Sequence, residues 1–241
     1  MRLSGLLLLA CVACGGGEVP ILMYHSISER GDAFTVSPAQ LEAQLQYLQD
    51  AGYTTVSLHT ATFGDLPSRP IVITFDDGYE DNYSAALPLL KAHKMTATFF
   101  VISSFVGRDS QHRVHDPWSQ KAHLTHEEIR QLRDQGMEIG SHTVKHSALT
   151  SLNDAAMRWE LVRSKTELEE VLQGPVEFLA YPATYQNARV RQAAEDVGYK
   201  GAVAGTVRKT ERYQMRRVFM LKWTTLDDLG AQLSQSWEDQ Q

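Results

Sequence analysis

From Pro20 onward, short apolar runs rich in β-branched and aromatic residues alternate with amphipathic stretches of helical period. No other feature restricts the architecture as tightly, because regular strand-helix alternation is the mark of a parallel sheet covered by helices. The apolar runs predict strands over 21–24, 54–58, 71–75, 96–102, 137–141, 176–181, 199–203 and 217–221. Between them, Ser37-Pro38 supplies an N-cap and a first-turn proline for a helix over 38–51, with Leu41, Leu45 and Leu48 on one face. Thr125-His126-Glu127-Glu128 forms a capping box ahead of Ile129 and Leu132, and Gly136 stops that helix. Further helices are expected over 152–173, 187–197 and 226–237. Seven or eight such strands build a barrel or a broad open sheet, and in both the carboxyl ends of the strands carry function.

The chain has 241 residues, 43% of them hydrophobic, enough for a sizeable core and too apolar for a disordered chain. No linker or repeat divides it, so residues 18–241 are expected to form one domain of enzyme size. A net charge of -6 with no Lys/Arg block argues against a nucleic-acid partner. Ahead of the domain, Met1-Arg2 and the apolar run from Leu3 to Ala13 have the arrangement of an export signal, too short to span a bilayer. The only cysteines, Cys11 and Cys14, close that run, so the domain holds no internal disulfide. Leu8-Leu9-Ala10-Cys11 resembles a lipoprotein cleavage box, and Val12-Ala13-Cys14 before Gly15-Gly16-Gly17 is similar to a second one with a flexible tether. The expectation for 1–17 is therefore a signal peptide or lipoprotein signal, and for the protein export to the periplasm or cell surface, with lipid on one of the two cysteines or simple cleavage after Ala13 as the alternatives.

Chemistry concentrates at four strand ends. In Thr74-Phe75-Asp76-Asp77-Gly78, two adjacent carboxylates terminate an apolar strand. Neighbours on a strand point to opposite faces, so both acids reach one site only if the chain bends there, which Gly78 permits. Alone, an Asp-Asp-Gly also fits a solvated turn. Its companion is Ser141-His142-Thr143-Val144-Lys145-His146, two histidines four apart beginning where another strand ends, a spacing that in a helical turn puts both imidazoles on one face. Two histidines and a carboxylate leave open positions for water and substrate on a bound ion. The glutamate of His-Glu-x-x-His is missing, which leaves Asp76 as the candidate base. His25, at the end of the first strand in Leu22-Met23-Tyr24-His25-Ser26, is a candidate general acid, or a core histidine bonded to backbone. Leu179-Ala180-Tyr181-Pro182-Ala183-Thr184-Tyr185 is an aromatic, proline-bearing strand end suited to walling a pocket for sugar rings. The remaining histidines, His123 among them, receive no chemical role.

The order of these motifs resembles the polysaccharide deacetylases, carbohydrate esterases of family 4 with the nodulation-type deacetylase homology domain, over about Pro20 to Val218. The resemblance implies a distorted (β/α) barrel of about seven parallel strands, with Asp76 as catalytic base and Asp77, His142 and His146 as ligands of a divalent metal, Zn2+ foremost, with Co2+, Ni2+ or Fe2+ as alternatives. No histidine follows His146, where the common branch carries its general acid. The opening motif instead looks like the branch that deacetylates biofilm poly-N-acetylglucosamine, in which His25 fills that role. Tyr181, Pro182 and Ala183 then contact substrate. Ala183 and Thr184 depart from the aromatic and glycine usual in that branch, and Arg217 resembles a late arginine that orients the base. The activity implied is hydrolysis of acetamide groups on an N-acetylglucosamine polymer, with release of acetate. A catalytically silent carbohydrate-binding protein on the same fold is the alternative, and a two-histidine, one-carboxylate iron oxygenase a further one.

Overall fold

The computed structural model describes residues 18–107, 111, 114–115 and 120–238. Cys11 and Cys14 lie outside them. Among the described residues, no helix is long and apolar enough to cross a membrane.

The strands are β1 (Ile21–Tyr24), β2 (Ser26–Ile27), β3 (Thr35–Val36), β4 (Thr54–Thr55), β5 (Pro70–Phe75), β6 (Thr98–Val101), β7 (Glu138–Ser141), β8 (Phe178–Ala180), β9 (Gly201–Val203) and β10 (Val218–Phe219). The main sheet runs β10-β1-β5-β6-β7-β8-β9, with β4 added on β5, and every pairing is parallel, while β2 and β3 pair apart from it. The ends of this path meet, because residues 212–217 bond to β9 (Met215 N–H to Ala202 O, 3.0 Å; Ala204 N–H to Met215 O, 2.8 Å) before continuing as β10 beside β1. The result is a distorted barrel.

Strand alternation sorts the side chains. Leu22, Tyr24, Ile73, Phe75, Phe99 and Leu179 face outward onto the helices, where they pack with Leu41, Leu45, Leu48, Leu161 and Leu168. Ile21, Val72, Phe100, Phe178, Ala180 and Val203 fill the interior. The same parity, continued past the strand ends, carries His25, Asp76 and His142 toward the inside, and Arg217, just ahead of β10, shares the parity of Phe219, which lines the cleft.

The covering helices are α1 (Pro38–Asp50), α2 (Leu58–Phe63), α3 (Leu87–Ala92), α4 (His126–Asp134), α5 (Asp154–Leu172), α6 (Ala188–Val197) and α7 (Leu226–Glu238). Ser37 caps α1, the Thr125–Glu128 box caps α4, and Asn153 and Asn187 cap α5 and α6. One expectation is corrected. The strand expected over 54–58 ends at Thr55, because the Ser57 side chain accepts from Thr60 N–H and starts α2 at Leu58. Residues 82–92, assigned no element from sequence, form a wide π turn (Asn82–Ala86) leading into α3.

Candidate active site

β5 delivers Asp76 inward, and its backbone N–H still bonds to Tyr24 O as though the strand continued (2.9 Å). Asp77 would then point outward, but it adopts a left-handed conformation (φ 73°), followed by Gly78 (φ 72°). The double turn brings both carboxylates to one place. A side chain at Gly78 would press on Val101 Cγ1 at 3.2 Å, so glycine serves both conformation and clearance there. His123, buried between the rings of Tyr79 and Phe105, lies 3.1 Å through Nδ1 from the Asp77 carbonyl oxygen and steadies the turn. This residue had no expected role, since its contribution runs through a backbone atom of a distant residue.

Arg217 holds Asp76 from the other side. Its guanidinium donates to both carboxylate oxygens at 2.7 Å, to Thr74 Oγ1 at 3.1 Å and to Ala204 O at 2.9 Å. Both partners are buried, at 1% and 3% exposure. Burial alone would raise the Asp76 carboxyl, but Arg217 and His142 outweigh it and hold it below the usual range. The orienting role expected for Arg217 is thus matched by a two-pronged contact.

His142 and His146 reach the same point from the end of β7. They meet without a helical turn, the case in which their spacing alone would align them: Thr143 (φ 67°) and His146 (φ 57°) are left-handed, and the loop folds so that His146 N–H bonds to Thr143 Oγ1 (3.1 Å). His142 Nδ1 lies 2.8 Å from Ala180 O. That carbonyl can only accept, so Nδ1 carries the hydrogen and the Nε2 lone pair faces Asp77. Burial works against a charged His142, yet the Asp76 and Asp77 carboxylates raise its pKa overall. Burial and the neighbouring His142 lower His146 to about 4.

Among the described residues, Asp77, His142 and His146 are the one group of three such side chains whose ligand atoms all lie within 4.8 Å of one another. Asp77 Oδ1 is buried and accepts no hydrogen bond, while the Nε2 atoms of His142 and His146 stand 3.4 and 3.6 Å from it. Those separations are long for hydrogen bonds. They suit ligand atoms that share one ion, which at about 2.0–2.1 Å from a tetrahedral centre lie about 3.3 Å apart. A buried carboxylate oxygen left without a partner is costly, and a cation would remove the cost. The residues present therefore fit a divalent ion.

A cleft of about 470 Å³ opens over this cluster, lined also by His25, Phe34, Lys121, Tyr181, Ala183, Thr184 and Phe219. His25 packs on Phe34 with ring centroids 4.8 Å apart, its Nδ1 is buried with no hydrogen-bond partner, and its carbonyl accepts from Asn82 Nδ2 at 2.7 Å. Burial lowers its pKa against the pull of Asp77 and Asp76. Tyr181 is buried, with its hydroxyl bonded to Tyr213 O at 2.9 Å, and Pro182 is buried without lining the cleft. Ala183 (φ 51°) and Thr184 (φ 62°) are both left-handed, and the absence of a side chain on Gly205 makes room for Thr184. Of the segment 181–183 expected to meet substrate, Tyr181 and Ala183 face the cleft and Pro182 supports them. Phe34, Lys121 and Phe219 were not singled out from sequence. A second hollow of about 500 Å³, between β10 and α7, gathers Glu18, Arg216 and Asp228 but none of the three clustered ligands.

Residues 63–202, more than half of the chain, match the family model described as polysaccharide deacetylase. The chain belongs to the polysaccharide deacetylase family, as the motifs around Asp76 and His142 led one to expect. It is 35% identical over 191 residues to YxkH of Bacillus subtilis, a protein named as a polysaccharide deacetylase, with 77% of this chain and 64% of that protein covered. The chain thus spans just under two thirds of that relative. It is 25% identical over 234 residues to poly-beta-1,6-N-acetyl-D-glucosamine N-deacetylase of Staphylococcus aureus, covering 90% of this chain and 77% of the relative. Among solved structures, a Streptococcus pyogenes deacetylase in complex with acetate superposes with a TM-score of 0.76 at 26% identity, covering 90% of this chain and 98% of that one. A Bacillus cereus polysaccharide deacetylase superposes with a TM-score of 0.75 at 28% identity, covering 90% and 69%.

Proposed function

We propose that this chain is a metal-dependent N-deacetylase that hydrolyses acetamide groups of an N-acetylglucosamine polymer and releases acetate. The observation that carries this reading is the buried Asp77 Oδ1, without a hydrogen-bond partner and faced by two imidazole nitrogens at 3.4 and 3.6 Å, beside a second carboxylate held by Arg217. The Staphylococcus aureus relative acts on poly-β-1,6-N-acetylglucosamine by its name, and the Streptococcus pyogenes structure holds acetate, the product expected here. Both support the substrate class.

Asp77, His142 and His146 would hold the ion, with Zn2+ suited to two imidazoles and a carboxylate and Co2+, Ni2+ and Fe2+ as alternatives. When bound, the ion supplies Lewis acidity toward the acetyl oxygen and a water of lowered pKa. Asp76 takes the proton of the attacking water. Arg217 presents the Asp76 carboxylate at a fixed angle and keeps it ionised between turnovers. His25, entering the step as the imidazolium, passes its proton to the departing amine nitrogen, which is otherwise a poor leaving group, and the proton taken by Asp76 returns to His25 through solvent to restore both groups. Tyr181, Ala183 and Thr184 form the wall against which the sugar lies.

On this reading residues 18–241 act as one catalytic unit, and residues 1–17 direct export to the periplasm or cell surface, where such polymers occur. Mass spectrometry of the mature N-terminus tests the second point: lipid on Cys11 or Cys14, or cleavage after Ala13, agrees with it, and an intact Met1 in exported protein contradicts it. The activity is tested by acetate release from β-1,6-linked and β-1,4-linked N-acetylglucosamine oligomers and from peptidoglycan. Release from at least one, with the β-1,6 oligomer ahead, is expected. Sugar binding with no acetate from any of them would transfer the reading to a silent binding protein.

A further inference from the structure

Two histidines contributed by one short loop can serve a common ion only if the loop keeps its shape when the ion is gone. The loop 142–147 is not part of any helix or strand, and two of its residues, Thr143 and His146, are left-handed without being glycine. Something outside the loop must therefore hold it, and the contacts converge on one side chain. Glu160, on α5 and 4% exposed, accepts from Val144 N–H at 2.8 Å and from Lys145 N–H at 3.0 Å through Oε2, and from Ser147 Oγ at 3.1 Å through Oε1. One carboxylate thus binds three polar groups, on residues 144, 145 and 147, between and just after the two histidines.

The rest of the α5 face works with it. Ser164, one turn along, pairs with Ser141 Oγ at 2.8 Å, and Ser141 Oγ in turn accepts from Thr143 N–H at 3.2 Å. On the loop's other edge, Thr143 O and Val144 O accept from Ser103 N–H and Ser104 N–H, both at 3.1 Å. Of these contacts, Glu160 alone joins two backbone N–H groups and a hydroxyl through a single side chain. Val144 is itself buried, so its N–H would have no water to turn to if the carboxylate were removed.

We propose that Glu160 is a positioning residue for the metal site, holding the loop in the shape that lets His142 and His146 face Asp77 together. It touches neither substrate nor the reacting atoms. The inference rests on the metal-site reading above, and it specifies what keeps that site assembled.

Metal affinity, measured by competition with a chromophoric chelator, and the visible absorption of the Co2+-loaded protein test it without recourse to turnover. Glu160→Ala should weaken affinity about 10- to 100-fold, as removal of an outer-shell partner does, and change the Co2+ bands. Glu160→Asp keeps the charge but is one methylene too short to reach the loop, and should lose about 10-fold or more. Glu160→Gln keeps an oxygen for the two N–H groups, while its amide can donate to the Ser147 hydroxyl, and should stay within a few-fold of wild type. A structural role alone would lower the melting temperature of all three without altering affinity per folded molecule. Wild-type affinity and Co2+ spectrum in folded Glu160→Asp or Glu160→Ala would overturn the proposal. Failure of the wild-type protein to bind any divalent ion would overturn the metal-site reading itself, and is told apart by appearing before any substitution is made.

Discussion

The two walls of the cleft are built differently. On one side, Asp76, Asp77 and His142 are at most 7% exposed, and Arg217, His123 and Ala180 hold them by direct hydrogen bonds. On the other, Phe34 is 41% exposed, Lys121 reaches across from its segment to Thr35 Oγ1 at 2.9 Å, and Ala183 and Thr184 occupy left-handed backbone without glycine. The base and two of the three groups that would hold an ion are fixed before any ligand arrives, the preorganisation that catalysis requires. The groups that would meet the sugar stand on short connections. Changes on the first wall should therefore abolish chemistry or the fold, and changes on the second should adjust recognition.

The largest effect that sharpens this contrast is expected for Asp76→Asn. Loss of a general base should lower kcat about 10²- to 10⁴-fold while metal content, read by atomic absorption, stays at the wild-type level. Near-normal turnover in this variant would remove the proposed base. His25→Ala should cost about as much on acetamide substrates, but far less on an aryl acetate, whose leaving group needs no proton. An equal loss on both would argue that His25 does not protonate the amine.

Arg217→Ala tests the fixed wall through stability. Leaving Asp76 buried without its guanidinium should destabilise the fold by about 3–5 kcal/mol, measured by denaturant unfolding. A change below about 1 kcal/mol would mean that the pair is less important to the fold than its geometry implies. On the open wall, Phe34→Ala should leave stability within about 0.5 kcal/mol of wild type and lower kcat/KM on oligomers severalfold, mostly through KM. The smallest effect is expected for Thr184→Gly. A β-branched residue in left-handed backbone costs about 1–2 kcal/mol, offset in part by the entropy of glycine, so a gain of up to about 1 kcal/mol is expected in thermal unfolding.

The parallel barrel was legible in the strand-helix alternation because each apolar run buries a sheet face that the following helix must cover. What failed was local: Ser57 cut the strand at 54–58 short, since a capping hydroxyl three residues ahead of Thr60 outweighed the apolar pattern. The turn over 82–86 has a wide geometry that fits neither the helical period nor strand alternation. In the site, Asp76, Asp77, His142 and His146 could be found because two motifs of unusual composition sit at strand ends. Their partners are harder to see. Arg217 lies 141 residues from Asp76, and it was noticed only through a motif resemblance. Glu160 and His123 act mostly on backbone atoms, which carry no residue identity, so little in the pairing of residue types announces them. The His142–His146 spacing brings both imidazoles together without a helical turn, in a loop whose N–H groups find acceptors on Glu160 and Thr143.

The most direct test of the account is a titration of chelated, folded protein with Zn2+, following acetate release from an N-acetylglucosamine oligomer alongside bound metal. Activity should be absent at the start, rise in proportion to bound ion and stop at one equivalent per chain. Acetate release from metal-free protein, or a full equivalent of bound ion with no acetate, would contradict it.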